Sequence, residues 1–210
     1  MKHLHFDVET DGFYGAYWAC KTPSECAMIA MIGDDPEDYM ARSCVKSYQG
    51  EPLPYMPFVY QHPQYWQGIA AETKRTGDMV NSWKLFDDSE KAHPITEAEF
   101  IKVENIKGKL LLIGAEDDVL WDTAKYIRRM EKRLAERPHT CEVETAVYPY
   151  ATHFVFPEGL IKIMLPVGSS LFMKMAFQSA KKHPKECKSA RVDIDRRITA
   201  TIESWKKAAI

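Results

Sequence analysis

The sequence predicts an α/β fold: a mostly parallel sheet with helices on both of its faces and an antiparallel hairpin near the N-terminal end. Three observations predict it. The second half of the chain alternates short apolar runs with longer amphipathic ones, in the order strand, loop, helix, strand, loop, helix. That order is the repeating unit of a parallel sheet covered by helices. Ala27 to Ile32 and Leu110 to Ile113 are wholly apolar, as strands buried on both faces are. His3 to Asp7 and Phe13 to Cys20 flank the turn residues Thr10-Asp11-Gly12, which is the pattern of a hairpin.

Each element follows in order. After the hairpin and the Ala27–Ile32 strand, Gly33-Asp34-Asp35-Pro36 places an Asp at an N-cap and a Pro near the first helical position. A helix through Tyr39, Met40 and Cys44 is expected there. Ser47 to Pro63 holds four prolines and many aromatics and is expected to be irregular. Gln64 to Lys91 contains helical stretches without a clean stripe. Thr96-Glu97-Ala98-Glu99 fits a capping box on a short helix. Leu110 to Ile113 is a strand, and Gly114 to Asp118 the loop leaving it. Asp122 to Glu136 is a helix with Ile127, Met130 and Leu134 on one face. Glu142 to Tyr148 alternates as a strand, and Pro149 to Pro157 is a loop. Ser169 to Lys182 reads as a helix, with Ser169 or Ser170 as its N-cap. The last helix, from about Lys188 to Lys207, carries a stripe of Ala190, Ile194, Ile198, Ile202 and Trp205.

The 210 residues are enough for one domain with a sizeable core. Three stretches are distinguished within it: 1–46 with the N-terminal strands and first helix, 47–100 as a lid-like Pro- and aromatic-rich segment, and 101–210. Twenty-eight basic residues stand against 30 acidic ones, a net charge of −2, so no basic excess exists to neutralise phosphates and no nucleic acid partner is expected. No apolar run approaches the length of a membrane span, and no secretory signal is read at the start. Five cysteines, an odd number without C-x-x-C, fit reduced thiols and a cytoplasmic location.

Functional groups of open parallel sheets sit on loops at the carboxyl ends of strands. Two such loops hold a carboxylate pair, Asp117-Asp118, and an imidazole, His153. One helix and one strand separate them, so their strands are expected to be neighbours. Asp118 would then hold the His153 ring in one tautomer, as the acid of a hydrolytic triad does. Taken singly, an Asp-Asp after a strand is a helix cap or a solvated turn, and a loop His has no special role; the pairing is what carries the reading. The chain order, acid before histidine, matches α/β-hydrolases. Their nucleophile sits on a G-x-S-x-G turn, and none of the ten glycines forms G-x-S-x-G or G-x-C-x-G. A metal site through Asp117, Asp118 and His153 is disfavoured because three-ligand zinc sites usually hold more histidines. No cofactor is expected.

Several segments together resemble the C-terminal catalytic domain of acyl-CoA thioester hydrolases and bile acid-CoA:amino acid N-acyltransferases. They are Phe100-Ile101-Lys102-Val103-Glu104, Lys109 to Ile113, Glu116-Asp117-Asp118 with Trp121, Tyr148-Pro149, His153 and Pro157, with Ser47-Tyr48-Gln49-Gly50-Glu51-Pro52-Leu53-Pro54 before them. The resemblance implies an α/β-hydrolase fold acting on an acyl thioester or ester, with Asp118 as the acid (Asp117 the alternative) and His153 as the base. It implies an oxyanion-hole candidate at Gly33-Asp34. Thr152 stands where the family usually has Gly.

The family's nucleophile-bearing stretch would fall between Cys44 and Ser47, where this chain has almost no residues. The expectation is therefore an incomplete α/β-hydrolase fold, internally truncated and impaired in turnover, with exposed strand edges that favour self-association. Two other readings stay open. One is an active hydrolase using Ser43, Cys44 or Ser47. The other is an interaction module built on residues 52–66.

Overall fold

The computed structural model describes residues 3–6, 15–18, 47–48, 51–52 and 63–208. Strand β1, His3–Phe6, pairs antiparallel with β2, Gly15–Trp18, as the hairpin pattern predicts. Two short strands, β3 (Ser47–Tyr48) and β4 (Glu51–Pro52), also pair antiparallel. The expected Ala27–Ile32 strand, the helix through Cys44, and most of the 52–66 segment lie outside the described residues.

Helix α1 spans Pro63–Thr76 and α2 Trp83–Ala92. Pro63, expected in the irregular stretch, opens a helix, where its missing N–H is harmless and its φ is preset. The Thr96–Glu99 capping box forms at the 3-10 turn Glu97–Glu99: the Thr96 amide donates to Glu99 Oε2 at 2.6 Å.

The functional half is built on two parallel strands, β5 (Lys109–Ala115) and β6 (Glu142–Tyr148), joined by helix α3 (Thr123–Glu136). β5 runs through Gly114 and Ala115, which the sequence suggested as loop, because both continue the ladder, opposite Val147 and Tyr148. Successive strand residues point to opposite faces. Leu110 packs with Met130 and Leu134 of α3, and a Cβ on Gly114 would lie 2.6 Å from Ile127 Cδ1 and 3.2 Å from Thr123. Ala115 packs instead with Ala190 of the last helix, α7 (Pro184–Ala208). Helices therefore cover both faces of the parallel pair, the arrangement of an incomplete α/β fold. Only a residue without a side chain lets α3 approach β5 this closely.

After β6 come α4 (Glu158–Met164), α5 (Ser169–Ala176) and α6 (Gln178–Lys182). Three sequence expectations are corrected here. No element is expected from the sequence between the loop ending at Pro157 and Ser169, where α4 stands. The predicted helix Ser169–Lys182 is two helices, broken at Phe177, whose backbone is extended (φ −129°, ψ 123°) and whose ring is buried. The break is held from far away: the Gln178 amide donates to Asp78 Oδ1 at 2.8 Å, and Gln178 Nε2 donates to the Gly77 carbonyl at 2.7 Å. Finally, Gly168 rather than a serine takes the N-cap position of α5, at φ 77°, a conformation glycine adopts without strain. The last helix also starts earlier than expected, at Pro184, which suits a first helical position.

The main apolar core lies beneath the loop after β6. Ile161, Met173, Phe177, Ala180 and Cys187 form it, and Phe154, Phe156 and Phe172 pack against it. Among the described residues, no helix is long and apolar enough to cross a membrane.

Candidate active site

The register of β5 and β6 sets the site. Ala115 lies opposite Tyr148, so the loops that follow leave the same end of the sheet. The Glu116 amide donates to the Tyr148 carbonyl at 2.9 Å and carries the ladder one step into the acid loop. Thr123 Oγ1 closes that loop from its far side, accepting from the Ala115 amide at 3.1 Å. Asp122 caps α3, accepting from the Lys125 amide at 2.9 Å.

The two aspartates of the loop take different partners. Asp117 Oδ1 accepts from the amides of Ala151 and Thr152, both at 2.9 Å, and so ties the acid loop to the histidine loop. Asp118 Oδ1 accepts from the amides of Leu120 (3.0 Å) and Trp121 (3.3 Å). Its carboxylate also faces His153, with Nδ1 3.1 Å from Oδ2 and 3.2 Å from Oδ1. The Asp118 side chain is fully buried and that of His153 is 20% exposed. An ionised carboxylate only accepts, so in the neutral ring the facing nitrogen carries the hydrogen and Nε2 is left with its lone pair.

The imidazole is fixed by packing as well. Trp121 meets it edge-on, with centroids 4.9 Å apart, and Phe86 of α2 backs Trp121 at 5.7 Å. Phe154, next in sequence, anchors the loop in the aromatic core through Phe156, Phe172 and Phe177. From outside the loop, the amides of Ser82 and Trp83 donate to the Val119 carbonyl at 2.8 and 3.1 Å, and Ser82 Oγ donates to that of Leu120 at 2.8 Å. The N-terminal end of α2 thus braces the loop that carries Asp118.

Thr152 is the one non-glycine among the described residues with positive φ, 62°, and it is buried. A β-branched residue is rare in that region and stores strain there. This is the position where the resembling family usually has Gly. Its Oγ1 accepts from the Phe154 amide at 3.2 Å, which partly offsets the strain.

Elsewhere near the site, Cys187 is buried, and burial, then the Asp117 charge, push its thiol up to about 11. It is a core thiol rather than a thiolate at neutral pH. Among the described residues no cluster of three metal-binding side chains exists.

The structure therefore brings together Asp118 and His153, with Asp117 next to them as the link between their loops. Gly33, Asp34, Ser43 and Cys44 lie outside the described residues. Sequence reasoning gave no role to Trp121, Ser82 or the Leu120 amide. Trp121 was visible within the quoted motif; Ser82 carried no signal, because its part depends on a contact 38 residues away in sequence.

The sequence model of the family described as BAAT / acyl-CoA thioester hydrolase C terminal matches residues 50–159, more than half of the 210-residue chain and inclusive of both loops. No curated protein and no solved structure matches it.

Proposed function

The chain belongs to the family of BAAT and acyl-CoA thioester hydrolase C-terminal domains, and from that premise we propose that Asp118 and His153 are the proton relay of an acyl-transfer site for acyl-CoA thioesters. The observation that carries this reading is the fully buried Asp118 carboxylate 3.1 Å from His153 Nδ1. In this role Asp118 fixes the ring and stabilises its protonated form. His153 Nε2 would take the proton of an attacking O–H or S–H group and return it to the departing thiolate.

The attacking group itself has no G-x-S-x-G or G-x-C-x-G turn to sit on in this sequence. Relay residues without a nucleophile cannot form an acyl-enzyme, and what acceleration survives comes from binding alone. We therefore assign the chain a site of thioesterase descent with turnover at or near background.

The test measures thiol release from acyl-CoA substrates by the full chain and by His153→Ala. Equal, near-background rates are expected. Turnover abolished by His153→Ala would overturn the impaired reading. A covalent serine- or cysteine-directed probe with peptide mapping would then identify the nucleophile, with Ser43, Cys44 and Ser47 the first positions to inspect.

A further inference from the structure

The segment from α4 to α6 has two contrasting sides. Its inner side, Ile161, Met173, Ala176 and Ala180, is buried in the main core, which fixes its orientation. On the outer side, Ile163, Val167, Leu171 and Met175 follow at four-residue intervals and are between 64% and 90% exposed. Isolated exposed apolar residues are ordinary, but a run of them in one segment marks a contact surface.

The charge of this segment points to what the surface contacts. Between positions 159 and 185 there are five lysines and no Asp or Glu, in a chain whose net charge is −2. Lys162, Lys174, Lys181 and Lys182 are exposed, and no described carboxylate forms an ion pair with any of them. The one carboxylate of the segment, Glu158 at the start of α4, is paired with Arg191 at 2.9 Å. Apolar side chains interleaved with lysines are the composition of a helix that lies in the headgroup region of an anionic bilayer. A second copy of the chain fits less well. A self-complementary interface on this face would set its lysines against one another.

We propose that the α4–α5 segment, with exposed Val167 in the turn between the helices, docks on anionic membrane surfaces: the apolar side chains enter the interface and the lysines engage lipid phosphates. This attachment is peripheral and uses no residue of the relay.

The test is co-sedimentation of the full chain with vesicles of phosphatidylcholine mixed with phosphatidylserine, compared with vesicles of phosphatidylcholine alone. Binding to the mixed vesicles only, weakened by salt, is expected. Neutralising Lys162 and Lys174 to Gln should weaken it roughly 25-fold, on the order of fivefold per lysine. Val167→Asp with Leu171→Asp should abolish it, whereas His153→Ala should bind like the unmodified chain. The lysine variants leave the core untouched, so they report even if the double Asp variant fails to fold. Absence of binding to mixed vesicles, or equal binding to both kinds, overturns the proposal. So does a dimer in solution that Val167→Asp dissociates without any vesicle binding, which would assign the face to self-association.

Discussion

Replacing Asp118 by Ala and, separately, by Asn separates the structural from the electronic part of its role. In the Ala variant three donors lose their acceptor: the amides of Leu120 and Trp121, and His153 Nδ1–H. At about 1 kcal/mol or slightly more for each amide and about 1.5–2 for the charge-assisted bond to the imidazole, the loss is roughly 4 kcal/mol. In the Asn variant the amide oxygen retains both backbone donors and stays 3.2 Å from Nδ1, so only the imidazole contact to Oδ2 fails, at up to roughly 2 kcal/mol. The Asn –NH2 then lies where Oδ2 stood, 3.1 Å from Nδ1, and presents a hydrogen to a nitrogen that already bears one. The ring relieves this by moving its hydrogen to Nε2, the nitrogen the relay needs bare. Urea unfolding measures the two stabilities, and nitrogen-15 NMR of the imidazole reads the tautomer. A tautomer unchanged in Asp118→Asn, or an Ala variant no less stable than the Asn variant, would refute the assignment of these bonds.

Three further outcomes are expected. At position 152 the usual ranking reverses: Thr152→Gly should be more stable than Thr152→Ala by about 1 kcal/mol, because glycine releases the positive-φ strain and alanine keeps it; chemical denaturation of the two variants decides it. Gly114→Ala should destabilise by about 1–3 kcal/mol through overpacking against Ile127 and Thr123, read as a lowered melting temperature; an unchanged value would mean that α3 does not press on β5 as described. Finally, Arg133 holds the carboxyls of Glu97 and Glu104 down to about 2. A depressed carboxyl contributes stability above its unfolded value, near 4.5, and loses it as pH falls toward 2. The melting temperature should therefore fall over that window, and less steeply in Arg133→Met.

The parallel half of the fold was legible because its signals are local. The Glu142–Tyr148 strand has the predicted bounds, and α3 begins where Asp122 caps it. The pairing of Asp118 with His153 could be anticipated from topology alone, since one helix between two strand ends makes the ends neighbours. What could not be read was decided by distant contacts. Phe177 breaks a helix that its local sequence would continue, because Asp78 captures the Gln178 amide. Gly114 and Ala115 look like loop residues in sequence but are strand because Val147 and Tyr148 lie opposite them. The residues around Thr152 do not announce a positive φ; the one hint is that the resembling family usually has Gly there. The strain is imposed by Asp117, which draws in the Ala151 and Thr152 amides together.

The Asp78–Gln178 clasp spans 100 residues. During synthesis α1 and α2 emerge long before the start of α6, whose Gln178 amide donates to Asp78, and that carboxylate must wait solvated until the far end of the chain is available. Closing so wide a loop is entropically slow and is rewarded only at the last step. Folding should therefore be late and concerted rather than segment by segment. A nascent chain halted before residue 178 would hold the acid loop and its brace but would leave the helices that seat the histidine loop without their latch.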